Sequence, residues 1–375
     1  MASRHVALDR LRGLIIVLMA LDHVRDFFGD DSIDAMDAEH ASVALFATRW
    51  ITHLCAPGFV FLAGTSAYLY KAKHGDSRTA RFLLSRGLWL IFLELSVVHI
   101  AWFWPPVSIQ WNRLMVLWAL GGSMILLAPL ARAPRWVPFT LALVIVLGHN
   151  LLDGVHADRM GALGWAWTLF HEPGWIALGE SLRLGVLYPL LPWTGVMLLG
   201  FAFGPQMLDD HRRTTRRLGA GGLALLVAFV GVRLAGLGDP AHWTLGATPA
   251  QTAMSFLNVE KYPPSLCFVL ATLGVLGLIL AWMSRRSSPS SRDPLLVFGR
   301  VPMFFYVIHI YLIHFAARVI PRLARGVWLG PRETPGWGLP RVYLAWLVVL
   351  LVLYPVCARF GQFKATHRAW WITYV

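Results

Sequence analysis

The stretch Asp9–Phe28, DRLRGLIIVLMALDHVRDFF, sets ionisable groups at both ends of an apolar run. Leu14–Leu21 is greasy enough to enter a bilayer as a helix, yet Arg12 precedes it and Asp22, His23, Arg25 and Asp26 follow it. A charge at membrane depth is costly and usually functional. Arg12 and His23 are eleven residues apart, about 20° past three full helical turns with a rise of roughly 16 Å. They therefore share one stripe, which predicts a polar passage through a bundle. The plainer alternative is a snorkelling arginine and an interfacial ion cluster that ends the helix. His23 is the leading catalytic candidate, because a neutral imidazole accepts a proton from an amine or hydroxyl, or is itself acylated. Asp26, at i+3, is the better orienting carboxylate and Asp22 the second. No His-x-x-x-His spacing argues for a metal, and none is expected.

Other ionisable groups fall in or beside apolar runs. Glu94 lies well inside the third run, with His99 after it. A buried carboxylate must be paired or protonated, so Glu94 is expected to anchor Arg12 or Arg113. His309 and His314 are about 140° apart on a helix and do not read as a ligand pair. His53, beside Pro57 and Gly58, is an outer-cavity candidate, with an interfacial or capping role as the alternative. Gly64, Thr65 and Ser66 suit close helix packing. In NVEKYPPS, Glu260 and Lys261 precede a double proline, which predicts either a rigid helix start or a substrate rim.

The chain has 375 residues, 57% hydrophobic and 14% charged, with 18 Trp. That composition lies outside the soluble globular range. The net charge of +13 sits in short breaks between apolar runs, where positive-inside topology places it, so nucleic-acid binding is not expected. Cys55, Cys267 and Cys357 are far apart in apolar surroundings and suggest neither disulfides nor a metal knuckle. The N-terminal run lacks a small-residue cleavage site, so a cleaved signal is not expected.

These features predict an all-α polytopic membrane helical bundle, one domain over 1–375, with about ten transmembrane helices. The spans read as 8–28, 46–71, 81–103, 111–131, 134–151, 185–207, 214–236, 261–283, 299–320 and 340–361. Basic loops (Lys71 to Arg81, Arg132 and Arg135, Arg212 to Arg217, Arg285 to Arg292, Lys364 and Arg368) alternate with the acidic first loop, GDDSIDAMDAEH. That alternation puts both termini in the cytoplasm, against the dissent of Arg322, Arg325 and Arg332. The long segment His149–Arg183, with Trp165, Trp167 and Trp175, suits an interfacial helix, a lid, or a belt at the headgroups.

The segments LDRLRGLIIVLMALDHVRDFF, FVFLAGTSAYLY, YPLLPWTGVMLLGFAFG, NVEKYPPSL and FGRVPMFFYVIHIYLIH resemble a bacterial membrane family. It is related to the catalytic domain of heparan-alpha-glucosaminide N-acetyltransferase. The resemblance runs from Leu8 to the WWITYV tail. The first span also resembles the transmembrane acyltransferase superfamily, whose signature of Arg, ten residues and His falls on Arg12 and His23. The resemblance implies transfer from cytoplasmic acetyl-CoA to an amino or hydroxyl sugar outside, in a multi-pass protein of the bacterial inner membrane. Arg12, with Arg86, would face the CoA, and His23 would be the base or acetyl carrier. The residues themselves, apart from the resemblance, make His53, Glu94, Arg113, Lys261 and His309 candidates to meet the acceptor, and His309 matches a histidine in a late span of the eukaryotic enzymes. The pattern departs at one point: those enzymes place an asparagine-like residue near His23 and their catalytic histidine in the following loop, where His40 stands here. Membrane lipid is the expected surrounding and a homo-oligomer is an open expectation. The rival reading is a carrier for a sugar or small solute without covalent chemistry, and a third is a structural or regulatory membrane subunit.

Overall fold

The computed structural model describes residues 2–103, 111–285, 290, 292–326 and 333–367. Arg286, Arg332, Arg368 and the WWITYV tail, counted above, lie outside the described residues. The first expected span lies in α1 (Ala2–Phe28), which carries too many charges to count among the helices apolar enough to cross a membrane; α2 (Val43–Thr52) and α3 (Cys55–His74) follow. Helix α4 (Asp76–Leu93) runs through a π-turn, Glu94–Val98, into α5 (His99–Phe103). Strand β1 (Trp111–Leu114) leads to α6 (Val116–Leu130) and α7 (Trp136–Gly148). Then come α8 (Gly164–Phe170), β2 (Gly174–Leu178), β3 (Leu182–Val186) and α9 (Leu190–Phe203). The chain continues as α10 (His211–Leu234), α11 (Pro249–Leu257), α12 (Leu266–Arg285), α13 (Pro294–Arg300), α14 (Pro302–Arg325) and α15 (Leu339–Thr366).

Among the described residues, six helices are long and apolar enough to cross a membrane, or seven if the bent pair Trp136–Leu152 and Ala157–Phe170 is one span. This is a multi-pass membrane protein. Ten uniform spans were expected, and the structure is less regular. Helices α6 and α9 have 15 and 14 residues, short of the roughly 20 that a lone span needs. The stretches 111–131 and 185–207 begin as strands. The all-α expectation also missed a sheet of order β1-β3-β2, with β1 and β3 parallel and β2 and β3 antiparallel. Those short strands hide in a loop because each is only four or five residues long. Leu114, Ile176 and Val186 form the sheet's own small core.

Helix α1 is central and meets α2, α3, α12, α13, α14 and α15. Ile15, Ile16, Ala20 and Val24 are wholly buried, as a helix apolar on most faces must be. Its approach to α13 is set by backbone contact. A methyl group on Gly13 would overlap the Leu295 carbonyl, and one on Gly299 would overlap the Asp9 carbonyl. Arg10 Nε donates to Asp293 Oδ2 at 2.7 Å, and Asp293 in turn caps α13 by accepting from Leu295 N. The outer helices α10 and α15 show exposed Val227, Leu344 and Leu351, the apolar band that lipid covers.

Candidate functional site

A cavity of about 510 Å³ runs beside α1 and is lined by Asp9, Arg12, Met19, Asp22 and His23 of that helix. From Asp9 to His23 the helix rises about 21 Å, so the cavity is long, and its volume suits a small-molecule ligand. One end gathers Arg12, Arg86, Arg300 and Lys364. The middle is apolar, with Phe59, Leu62, Leu90, Leu120 and Met124. The other end holds His23, Asp22, Tyr188 and Lys261.

The histidine chemistry follows from two hydrogen bonds. The Nδ1 of His309 lies 2.9 Å from the Phe305 carbonyl, which can only accept, so that nitrogen carries the proton. In a neutral imidazole the other nitrogen is then an acceptor. His309 Nε2 lies 2.7 Å from His23 Nδ1, so His23 must donate through Nδ1. Its Nε2 is left with the lone pair, and the ring lines the cavity. His309 is fully buried on α14. The two rings stack with centroids 4.9 Å apart, and Trp102 meets His23 edge-on at 4.9 Å. The His23–His309 pair is thus a fixed, oriented base.

Arg12 is held by Asp9 Oδ1 and by Ser66 Oγ of α3, each at 2.6 Å, so Ser66 does more than permit packing. At the far end Arg49 Nη1 donates to both Asp22 oxygens at 2.6 Å, and Arg25 Nη2 reaches Asp22 Oδ1 at 3.2 Å. Lys261 is 7% exposed and its ammonium lies 5.0 Å from the Tyr262 ring centre. The segment that carries it is fixed from below. Buried Arg233 donates to the carbonyls of Ala241, Ser255, Phe256 and Asn258, while Asp239 Oδ2 accepts from Glu260 N and Ser265 Oγ.

Several expectations are corrected. Asp26 does not orient His23; it is exposed and pairs with Arg25 at 2.5 Å, because the imidazole turns inward to α14. Glu94 anchors neither Arg12 nor Arg113. Its Oε2 accepts from Leu117 N at 2.7 Å and Trp118 N at 3.1 Å, satisfying the open N–H groups and positive dipole end of α6. Arg113 belongs to β1 and lies over the Phe103 and Trp175 rings at 5.5 and 5.9 Å, outside the cavity wall. His53 is also outside that wall; it is buried against Phe268, with centroids 5.5 Å apart, because α2 and α3 turn Thr52 and Cys55 to the cavity instead. His40 has a side chain 69% exposed and pairs with Asp37 at 2.7 Å; that hydrogen bond raises its pKa above the ordinary histidine value.

The described chain therefore joins a basic mouth to an oriented histidine through one apolar channel. A family model described as heparan-alpha-glucosaminide N-acetyltransferase, catalytic, matches residues 4–234, more than half the chain. The chain belongs to this family. No curated protein matches it. The family match ends with α10 and so includes Arg12, Asp22, His23, Arg49 and Arg86. From beyond the matched residues, Lys261, Arg300 and Lys364 complete the cavity wall and His309 stands behind His23. Sequence reading missed Arg300 and Lys364; a basic residue at the start or end of a late span was their only signal.

Proposed function

We propose that this member of the family transfers an acetyl group from cytoplasmic acetyl-CoA to an amine or hydroxyl of a sugar-like acceptor entering from the opposite face. The observation that carries the reading is that Arg12 and His23 line one continuous cavity. The residues present suit the donor. Arginine forks and the Lys364 ammonium fit phosphates, and the apolar middle fits a pantetheine arm. The thioester would then end near His23. His23 Nε2 takes the acceptor's proton as the new C–N or C–O bond forms. The C–S bond breaks and the proton passes to the departing sulfur. His309 holds the ring through Nδ1 while the imidazole is charged, and the buried Lys261 ammonium favours negative charge developing on the carbonyl oxygen.

The test is release of free CoA thiol when purified protein is given acetyl-CoA and an amino sugar, with label appearing in the acceptor. His23→Ala should lower turnover by about 10²–10⁴-fold. Normal turnover in folded His23→Ala would overturn the role of that residue. Passage of unmodified solute across proteoliposomes, with no label transferred, would favour a carrier.

A further inference from the structure

A second constellation lies away from the cavity, at the bend of 114° between Trp136–Leu152 and Ala157–Phe170. His149 opens the 3₁₀ turn that ends α7, Asp153 closes that turn, and His171 follows α8. One ligand-type atom from each of the three lies within 4.8 Å of the other two. His171 Nε2 is 3.1 Å from Asp153 Oδ1. Both histidines are 2% exposed. Among the described residues, neither ring nitrogen of His149 nor Nδ1 of His171 makes a well-formed hydrogen bond, although the Pro264 carbonyl stands near the His149 ring. Orphaned buried nitrogens are costly, and a shared ion would take one nitrogen from each ring.

Helix propensity does not explain this grouping, because the ligands come from both arms of the bend. A supporting layer is also present. Asn150 Nδ2 donates to Asp153 Oδ2 at 2.9 Å, and Asn150 Oδ1 accepts from Leu266 N at 2.9 Å. Metal-bound carboxylates are normally steadied in this way. Two imidazoles and one carboxylate form a borderline donor set that suits Zn²⁺ and disfavours Ca²⁺ or Mg²⁺. Tetrahedral ligands at 2.0–2.1 Å would lie roughly 3.4 Å apart, so the cluster must contract only modestly. The sequence contains a hint in His149-x-x-x-Asp153, one helical turn apart.

We propose that His149, Asp153 and His171 bind one Zn²⁺ ion that staples the bend and, through Asn150, steadies the start of α12 beside the Lys261 segment. This inference is independent of the acyl-transfer reading.

The experiment uses full-length, chelator-treated protein in detergent, titrated with Zn²⁺ alone by calorimetry and with Co²⁺ followed by visible absorption. One ion per chain and the intense bands of four-coordinate Co²⁺, displaced by Zn²⁺, are expected. His149→Gln and His171→Gln should each bind Zn²⁺ at least about tenfold more weakly, while His156→Gln, in the adjacent exposed pair with Glu172, should bind as the parent does. Absence of stoichiometric Zn²⁺ binding, or only six-coordinate Co²⁺ spectra, would overturn the site in the parent protein without any variant. So would unchanged affinity in His149→Gln, or loss confined to His156→Gln.

Discussion

His23 needs a neighbour that takes its Nδ1 proton, since otherwise the tautomer with its lone pair toward the cavity is not fixed. His309 is that neighbour, and its own tautomer is fixed by the Phe305 carbonyl. Replacing His309 with Leu removes the acceptor while keeping the volume roughly similar. The expected outcome is a kcat at least about tenfold lower with the KM for acetyl-CoA little changed, measured by thiol release. Asp22 should behave differently. It balances Arg49 and Arg25 in half-buried pairs, and removing its charge leaves Arg49 without its carboxylate. Asp22→Asn should therefore lower thermal stability in detergent; unchanged melting with lost turnover would instead make Asp22 catalytic. Asp22 does sit in an ion cluster, as the plainer alternative had it, while the passage that helical spacing predicts corresponds to the cavity lined by Arg12 and His23.

At the scale of elements, the π-turn at Glu94–Val98 turns a carboxylate toward the start of α6. A π-turn is a common device where a helix must present a side chain at a functional wall. Here the wall includes Val116 and Leu117, the first residues of α6. Glu94→Ala would strand two backbone N–H groups, costing about 1–3 kcal/mol for each left buried. Glu94→Gln retains an acceptor oxygen and should cost less. Thermal unfolding of both variants checks this, and equal loss in the two would show that charge rather than capping matters. The carboxylate was legible in the sequence as buried and partnered; its partner was not, because a backbone N–H leaves no mark in residue identity.

For the whole molecule, the proposed reaction has two sides. Arg12, Arg86, Arg300 and Lys364 crowd one end of the cavity, whereas His23 and Lys261 mark the other. Arg300→Ala and Lys364→Ala should raise the KM for acetyl-CoA several-fold at nearly constant kcat. In sealed proteoliposomes, label should reach the acceptor only when acetyl-CoA faces the end with the basic residues and the acceptor faces the other. Equal activity in both arrangements would contradict a passage across the membrane. The long segment His149–Arg183, expected to be an interfacial helix, a lid or a belt at the headgroups, folds into short helices and most of the β2–β3 strand pair. Beyond that segment, Tyr188 reaches the cavity wall just after β3.

The apolar run, its terminal charges and the stripe shared by Arg12 and His23 were determined by sequence alone, because helical spacing fixes faces whatever surrounds them. So was membrane character, since such a composition cannot be solvated by water. Tertiary structure decided which way each charge turned and what it met. His309, 286 residues from His23, and the basic residues of α13 and α15 join the site only through packing around α1. Gly13 and Gly299 let two backbones touch, and no local pattern records which surface a small residue will face.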